Sequence, residues 1–203
     1  ITGGLGGIGL TLARRLHERA QARLVLLSRD PLPPEAHWPE LERTLEADHP
    51  LLLRIRGVKA LRNDGADVTV VAGDVTNIAT MREIVGDIRS QLGGLHGVVH
   101  AAEITDDRAL PGKTQIDIER VLAAKVYGTL VLHEVTDNDT LDLFALCSST
   151  SAVTGPPGQI DYVAANSFLN AFAEAHPTRV RSIGWGAWSD VGMAKEAVRQ
   201  LFE

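Results

Sequence analysis

Sulfur and aromatic rings are scarce in this chain of 203 residues, which has one cysteine, two methionines and only 4% aromatic residues. A lone cysteine, Cys147, excludes an internal disulfide. Its place in the apolar run from Leu143 marks it as a small buried residue, in a chain expected to be soluble and cytoplasmic. With few aromatics, the core has to be built from Leu, Val, Ile and Ala, as is usual for an α/β protein. No apolar run approaches the roughly 18 residues of a membrane span, and no charged leader with a hydrophobic core opens the sequence. Basic charge is also short: 20 Lys and Arg stand against 26 Asp and Glu, a net charge of -6. That balance argues against nucleic acid and anionic membranes as partners. No pair of histidines or cysteines has metal-ligand spacing, so no metal is expected.

What is present is alternation. Short aliphatic runs at 23–28, 67–72, 97–100, 143–147 and 179–185 read as strands. Between them, helical spacing of apolar residues covers 10–19, 51–64, 78–92, 115–136 and 161–175. Strand and helix in turn predict a Rossmann-like doubly wound parallel sheet flanked by helices, in a single α/β domain over residues 1–203. Residues 31–50, with five prolines, read as an exposed insertion. Ile1 and Thr2 run straight into a glycine loop that normally follows a complete strand, so the first strand is expected to be truncated.

That loop is Thr2-Gly3-Gly4-Leu5-Gly6-Gly7-Ile8-Gly9, which carries both G-x-G-x-x-G and the more specific T-G-x-x-x-G-x-G spacing. Backbone N–H groups must approach a pyrophosphate at a helix N-terminus, and glycine removes the side chains that would block them. The next strand ends in Ser28-Arg29-Asp30, about 20 residues after the last loop glycine, where a dinucleotide fold selects its cofactor. Arg29 suits the 2'-phosphate of NADP, whereas Asp30 would suit the ribose hydroxyls of NAD; the reading preferred here is NADPH. Asp74 and Val75, ending the third strand, are candidates near the adenine.

The segment SSTSAVTGPPGQIDYVAAN places Ser149 before Tyr162 with twelve residues between them and puts Asn166 four after Tyr162. Tyr162 and Asn166 share a helix face, and Ser149 closes a strand on the side where such sheets bind ligands. This constellation resembles the short-chain dehydrogenases, except that Asn166 replaces their usual lysine. Ketoreductase domains of modular polyketide synthases, and of the similar animal fatty acid synthase, carry asparagine there and place the lysine on the preceding helix. Lys125, in AAKVYGTL, matches it. TGGLGGIG, LLSR, GDVT, GVVHAA and GWGAW follow in that family's order and cover nearly the whole chain.

The resemblance implies reduction of a β-ketoacyl thioester on an acyl carrier protein, with NADPH as cofactor. Neighbouring synthase domains, including a structural ketoreductase subdomain, would be partners. Tyr162 would be the acid, Ser149 would hold the carbonyl oxygen, Lys125 would lower the tyrosine pKa, and Asn166 would support the lysine or a relay water. His100, Ala101, Ala102, Lys125 and Tyr162 would join the cofactor contacts. Glu103 departs from the family's HAAG and is expected to touch cofactor-loop geometry rather than the reactive groups. Thr105-Asp106-Asp107 stands where domains giving the D-alcohol carry Leu-Asp-Asp. Thr154 stands where L-type domains carry tryptophan, and Pro157 agrees with the D-type pattern, so Asp107 and Pro157 are candidate stereocontrol residues. A redox-silent or epimerising module and a free-standing reductase of small ketones are the alternatives.

Overall fold

The structure is a computed structural model that describes residues 1–188. The chain forms two compact units, Ile1–Gly73 and Asp74–Glu203.

In the first unit the glycine turn leads into α1 (Gly7–Ala20), followed by β1 (Leu24–Ser28), α2 (Trp38–Thr44), α3 (Pro50–Asn63) and β2 (Val68–Ala72). β1 and β2 run parallel, with Leu26 beside Val70, and Thr2 makes a single parallel bridge to Leu27. Leu5 from the turn, Ala13 from α1, Leu26 from β1 and Ile55 and Val58 from α3 form its buried cluster. Aliphatic residues thus supply nearly all of this core, as the composition requires.

The 31–50 segment is mostly exposed, as the insertion reading expects, but it is ordered locally and carries one buried anchor. It folds into a 3-10 turn (Glu35–His37) and α2, and it buries Trp38 at 6% exposure within the same cluster. The Trp38 indole N–H donates to the Pro33 carbonyl at 2.9 Å, so the ring is buried with its polar atom satisfied. Proline density signalled irregular backbone correctly but concealed an aromatic anchor.

In the second unit α4 (Ile78–Leu92), β3 (Gly97–His100), α5 (Gln115–Val135), β4 (Leu143–Ser149), α6 (Ser151–Thr154), α7 (Ile160–Ala175) and β5 (Arg181–Trp185) follow in order. β3, β4 and β5 form a parallel sheet with β4 central. Phe144 to Ser148 of β4 are all buried, which is why this strand reads as a continuous apolar run rather than an alternating one. α5 opens with a capping box: Thr114 accepts from the Asp117 N–H, and Asp117 accepts from the Thr114 N–H at 3.0 Å. Parallel strands with intervening helices are the Rossmann-like α/β class that the alternation predicts. No helix of the described residues is long and apolar enough to cross a membrane.

Candidate active site

The glycine loop sits wholly in the first unit, where Gly6 caps α1 without any side-chain hydrogen bond and no acidic residue occupies the first turn. A helix start of that kind leaves N–H groups and a positive dipole end for an anion, which fits the pyrophosphate of a dinucleotide. The glycines have a further reason that the spacing did not disclose. A Cβ on Gly4 would lie 2.8 Å from the Ile1 carbonyl oxygen and from Leu26 Cβ, and one on Gly9 would collide with the Gly3 carbonyl. Both are held by the protein's own packing before any ligand arrives. At the end of β1, Arg29 is exposed, while Asp30 pairs with Arg54 of α3 at 3.5 Å.

In the second unit the predicted cofactor residues divide. Asp74 is turned back on its own chain, accepting from the Thr76 N–H at 2.9 Å and the Thr76 hydroxyl at 2.8 Å. Val75 is buried at 6% exposure, and its methyl and the His100 ring are what a Cβ on Gly128 of α5 would meet. The His100 Nε2 lies 2.9 Å from the Ala124 carbonyl, and burial pushes the ring pKa down to about 3. The buried His100 ring is therefore neutral around pH 7.

Around Tyr162 the structure brings the four expected catalytic residues together. Ser149 ends β4, and its hydroxyl oxygen accepts from the Ser151 N–H at 3.1 Å, which orients it at the entry to α6. Tyr162 lies in the first turn of α7, its N–H bonded to the carboxylate of Asp161 at 2.9 Å. Asn166 is fully buried one turn on and donates to the Tyr162 carbonyl at 2.7 Å, while its Oδ1 has no hydrogen-bond partner among the described residues. Lys125 projects from α5 with 1% exposure, donates to the Cys147 carbonyl at 2.7 Å, and holds its ammonium 5.7 Å from the centre of the Tyr162 ring.

Two expectations change at this point. The Lys125 ammonium is bonded to the Cys147 carbonyl and ion-paired with Glu103 at 3.0 Å; the Asn166 amide bonds backbone instead of supporting the lysine. The Tyr162 hydroxyl also donates to Glu103, at 3.2 Å. Glu103 therefore touches both the Lys125 and the Tyr162 side chains, although the sequence assigned it only to loop geometry. Consequently Tyr162 is not acidified. Burial first and the Glu103 charge second push its pKa up to about 12, against a downward pull from Ser149 and Asn166.

A second set of residues, which sequence reading missed, fixes the loop from 101 to 114 against the start of α7. The Lys113 and Asp161 side chains have no exposed area and pair at 2.7 Å, and Lys113 also donates to the Asp106 carbonyl. Gln159 donates to Asp107 at 3.0 Å, and the Arg108 N–H donates to the Gly158 carbonyl at 3.1 Å. The candidate stereocontrol residue Asp107 is thereby tied to the segment just before Tyr162, whereas Pro157 is exposed. One signal was available: Asp161 precedes Tyr162 on a helix whose neighbouring positions are apolar, so it had to find a cation.

The profile of the KR domain family matches residues 1–190. The chain belongs to the KR domain family, the ketoreductase domains of modular polyketide synthases. Its relatives include 6-methylsalicylic acid synthase of Aspergillus terreus, 37% identical over 198 residues, which cover 96% of this chain and 11% of that protein. One component of the phenolphthiocerol/phthiocerol polyketide synthase of Mycobacterium tuberculosis is 37% identical over 201 residues, or 97% of this chain and 10% of that protein. The ketoreductase from the first module of phoslactomycin biosynthesis in a Streptomyces species superposes with a TM-score of 0.81 at 32% identity, over 99% of this chain and 44% of the other. A ketoreductase domain from the bacillaene assembly line gives 0.79 at 32%, over 99% and 47%. The chain thus spans about a tenth of the curated relatives it matches. Membership in this family makes the KR domain an oxidoreductase of the ketoreductase class, within the short-chain dehydrogenase/reductase superfamily, and implies a nicotinamide cofactor.

Proposed function

We propose that this KR domain uses NADPH to reduce a β-ketoacyl thioester, presented on an acyl carrier protein, to the β-hydroxyacyl thioester. The observation that carries the reading is the convergence of Ser149, Tyr162 and Lys125 at one point beside the end of β4. The carrier protein, neighbouring synthase domains and a structural ketoreductase subdomain are its proposed partners; the relatives' much greater length supports such neighbours.

NADPH, when bound, would supply hydride to the carbonyl carbon. As charge builds on the carbonyl oxygen, the Ser149 hydroxyl hydrogen-bonds it and Tyr162 donates its phenolic proton. Lys125, its charge matched by Glu103 at 3.0 Å and its ammonium directed by the Cys147 carbonyl, packs beside the Tyr162 ring. Asn166 donates to the Tyr162 carbonyl within α7, and the Ser148 hydroxyl, donating to the Asn166 carbonyl at 3.2 Å, ties that helix to β4.

NADPH is preferred to NADH because Arg29 is exposed at the strand end while the competing carboxylate of Asp30 faces Arg54. A charge-assisted contact to the 2'-phosphate is worth about 1.5 to 3 kcal/mol, so NADPH should bind roughly tenfold or more tighter than NADH. Arg29→Ala should erode the preference in a fluorescence titration. Equal affinity of the unaltered protein for both cofactors refutes the assignment.

The product is proposed to be the D-3-hydroxy thioester. Asp107 sits in the loop fastened to the segment before Tyr162, and Pro157 and Thr154 follow the D-type pattern of the family. Reduction of a 3-ketoacyl thioester with NADPH, followed by chiral chromatography, tests activity and configuration together. A predominantly L-alcohol overturns the stereochemical part; no oxidation of NADPH overturns the reductase reading and leaves a redox-silent module.

A further inference from the structure

We propose that Glu103 is a positioning residue of this site, whose carboxylate clamps the Lys125 ammonium and the Tyr162 hydroxyl and thereby sets how strong an acid Tyr162 is. This rests on the reading of Tyr162 as the proton donor. One oxygen, Glu103 Oε2, serves both contacts, at 3.0 Å from Lys125 Nζ and 3.2 Å from the Tyr162 hydroxyl.

The clamp follows from where the charges sit. Lys125 is buried at 1% exposure, and an ammonium removed from water needs both an opposite charge and hydrogen-bond acceptors. The Cys147 carbonyl supplies an acceptor, and Glu103, with its side chain 20% exposed, supplies the charge. A pair so matched offers the tyrosine little net positive field, although the lysine is its neighbour.

The other ionisable groups facing this cluster do not alter the balance. His100, beneath it on β3, is held neutral by burial, and burial likewise pushes the Cys147 thiol up, so that it stays uncharged. Lys113 and Asp161, at the start of α7, neutralise each other at 2.7 Å. Ser149 and Asn166 contribute dipoles only. Glu103 is therefore the negative charge that opposes ionisation of Tyr162, in direct contact with its hydroxyl at 3.2 Å.

The test is the ionisation of the tyrosines in the full chain. Only two are present, Tyr127 and Tyr162, and Tyr127 is 52% exposed. Tyrosinate absorbance is compared in the unaltered protein, Glu103→Gln, Glu103→Asp and Tyr162→Phe, over the pH range in which circular dichroism shows the fold intact. Glu103→Gln keeps the shape and removes the charge, so the Tyr162 midpoint should fall by about one unit or more, towards the ordinary phenol value. Glu103→Asp should restore most of the upward displacement, and Tyr162→Phe should abolish the assigned transition.

The alkaline limb of the rate of ketone reduction should move down by the same amount in Glu103→Gln and stay in place in Glu103→Asp. A residue with a merely structural role would lower the melting temperature and the rate without moving either pH midpoint. Should Glu103→Gln lose its fold, Glu103→Gly, the family's own residue, provides the charge-free comparison. Unchanged Tyr162 ionisation on loss of the Glu103 charge overturns the proposal. A protein that shows the expected tyrosine shift yet reduces no ketone would instead discard the reductase reading and leave the clamp standing.

Discussion

Tyr162→Phe is expected to lower turnover about a hundredfold or more while leaving NADPH binding intact, the loss typical of removing a general acid. The phenylalanine ring fills the same half-buried site in the first turn of α7, so packing against Lys125 and the carbonyl bond from Asn166 survive. Only the hydroxyl disappears, together with its contact to Glu103. The pH dependence has a definite sign. On the proposed mechanism ketone reduction requires the protonated phenol, and a pKa pushed up to about 12 keeps that form populated throughout the neutral range. The chemical step should therefore be insensitive to this group near neutrality and weaken only in strong alkali, whereas the reverse oxidation, which needs tyrosinate, should accelerate as pH rises. Steady-state kinetics in both directions checks this. A Phe variant with near-normal turnover removes Tyr162 from the mechanism.

Lys113→Ala should be the most destabilising substitution near the site. Its ammonium neutralises Asp161 where neither side chain reaches solvent, so deleting it strands a buried carboxylate, at a cost of about 3 to 5 kcal/mol. Asp161 also accepts from the Tyr162 N–H at 2.9 Å, so protonation or movement of that carboxylate loosens the start of α7. Denaturant unfolding should show a lower midpoint with little change in slope. Replacing both partners, as Lys113→Met with Asp161→Leu, should recover much of the loss, because a well-packed apolar pair leaves no uncompensated charge. If the single variant unfolds at the same denaturant concentration as the unaltered protein, the pair contributes nothing to holding the loop.

Several features were legible before any coordinate. The helix over 78–92 and the strand over 97–100 lie where apolar spacing put them, with Asn77 capping the former and Gly93 ending it. Local rules suffice for such elements, since the period of burial and the caps are written in adjacent residues. The spacing of Ser149, Tyr162 and Asn166 was equally readable, because strand end and helix face place them a fixed distance apart. Trp38 was not readable, since its burial depends on α3 and β1, which approach it only in the folded unit.

The order of residues was enough for the alternating α/β class, the glycine turn, the Ser-Tyr-Asn spacing and, through the ordered motifs, the family. These follow from short-range patterns that survive without knowledge of which residues meet. The electrostatics came only with the folded arrangement. Glu103, Lys125 and Tyr162 are separated along the chain by tens of residues, yet one carboxylate oxygen reaches both partners. A lysine assigned from its motif was expected to acidify the tyrosine; burial, together with a carboxylate from a different loop, reverses that direction. The sign of a pKa shift depends on distances and on exclusion of water, and neither is encoded in spacing along a strand or helix.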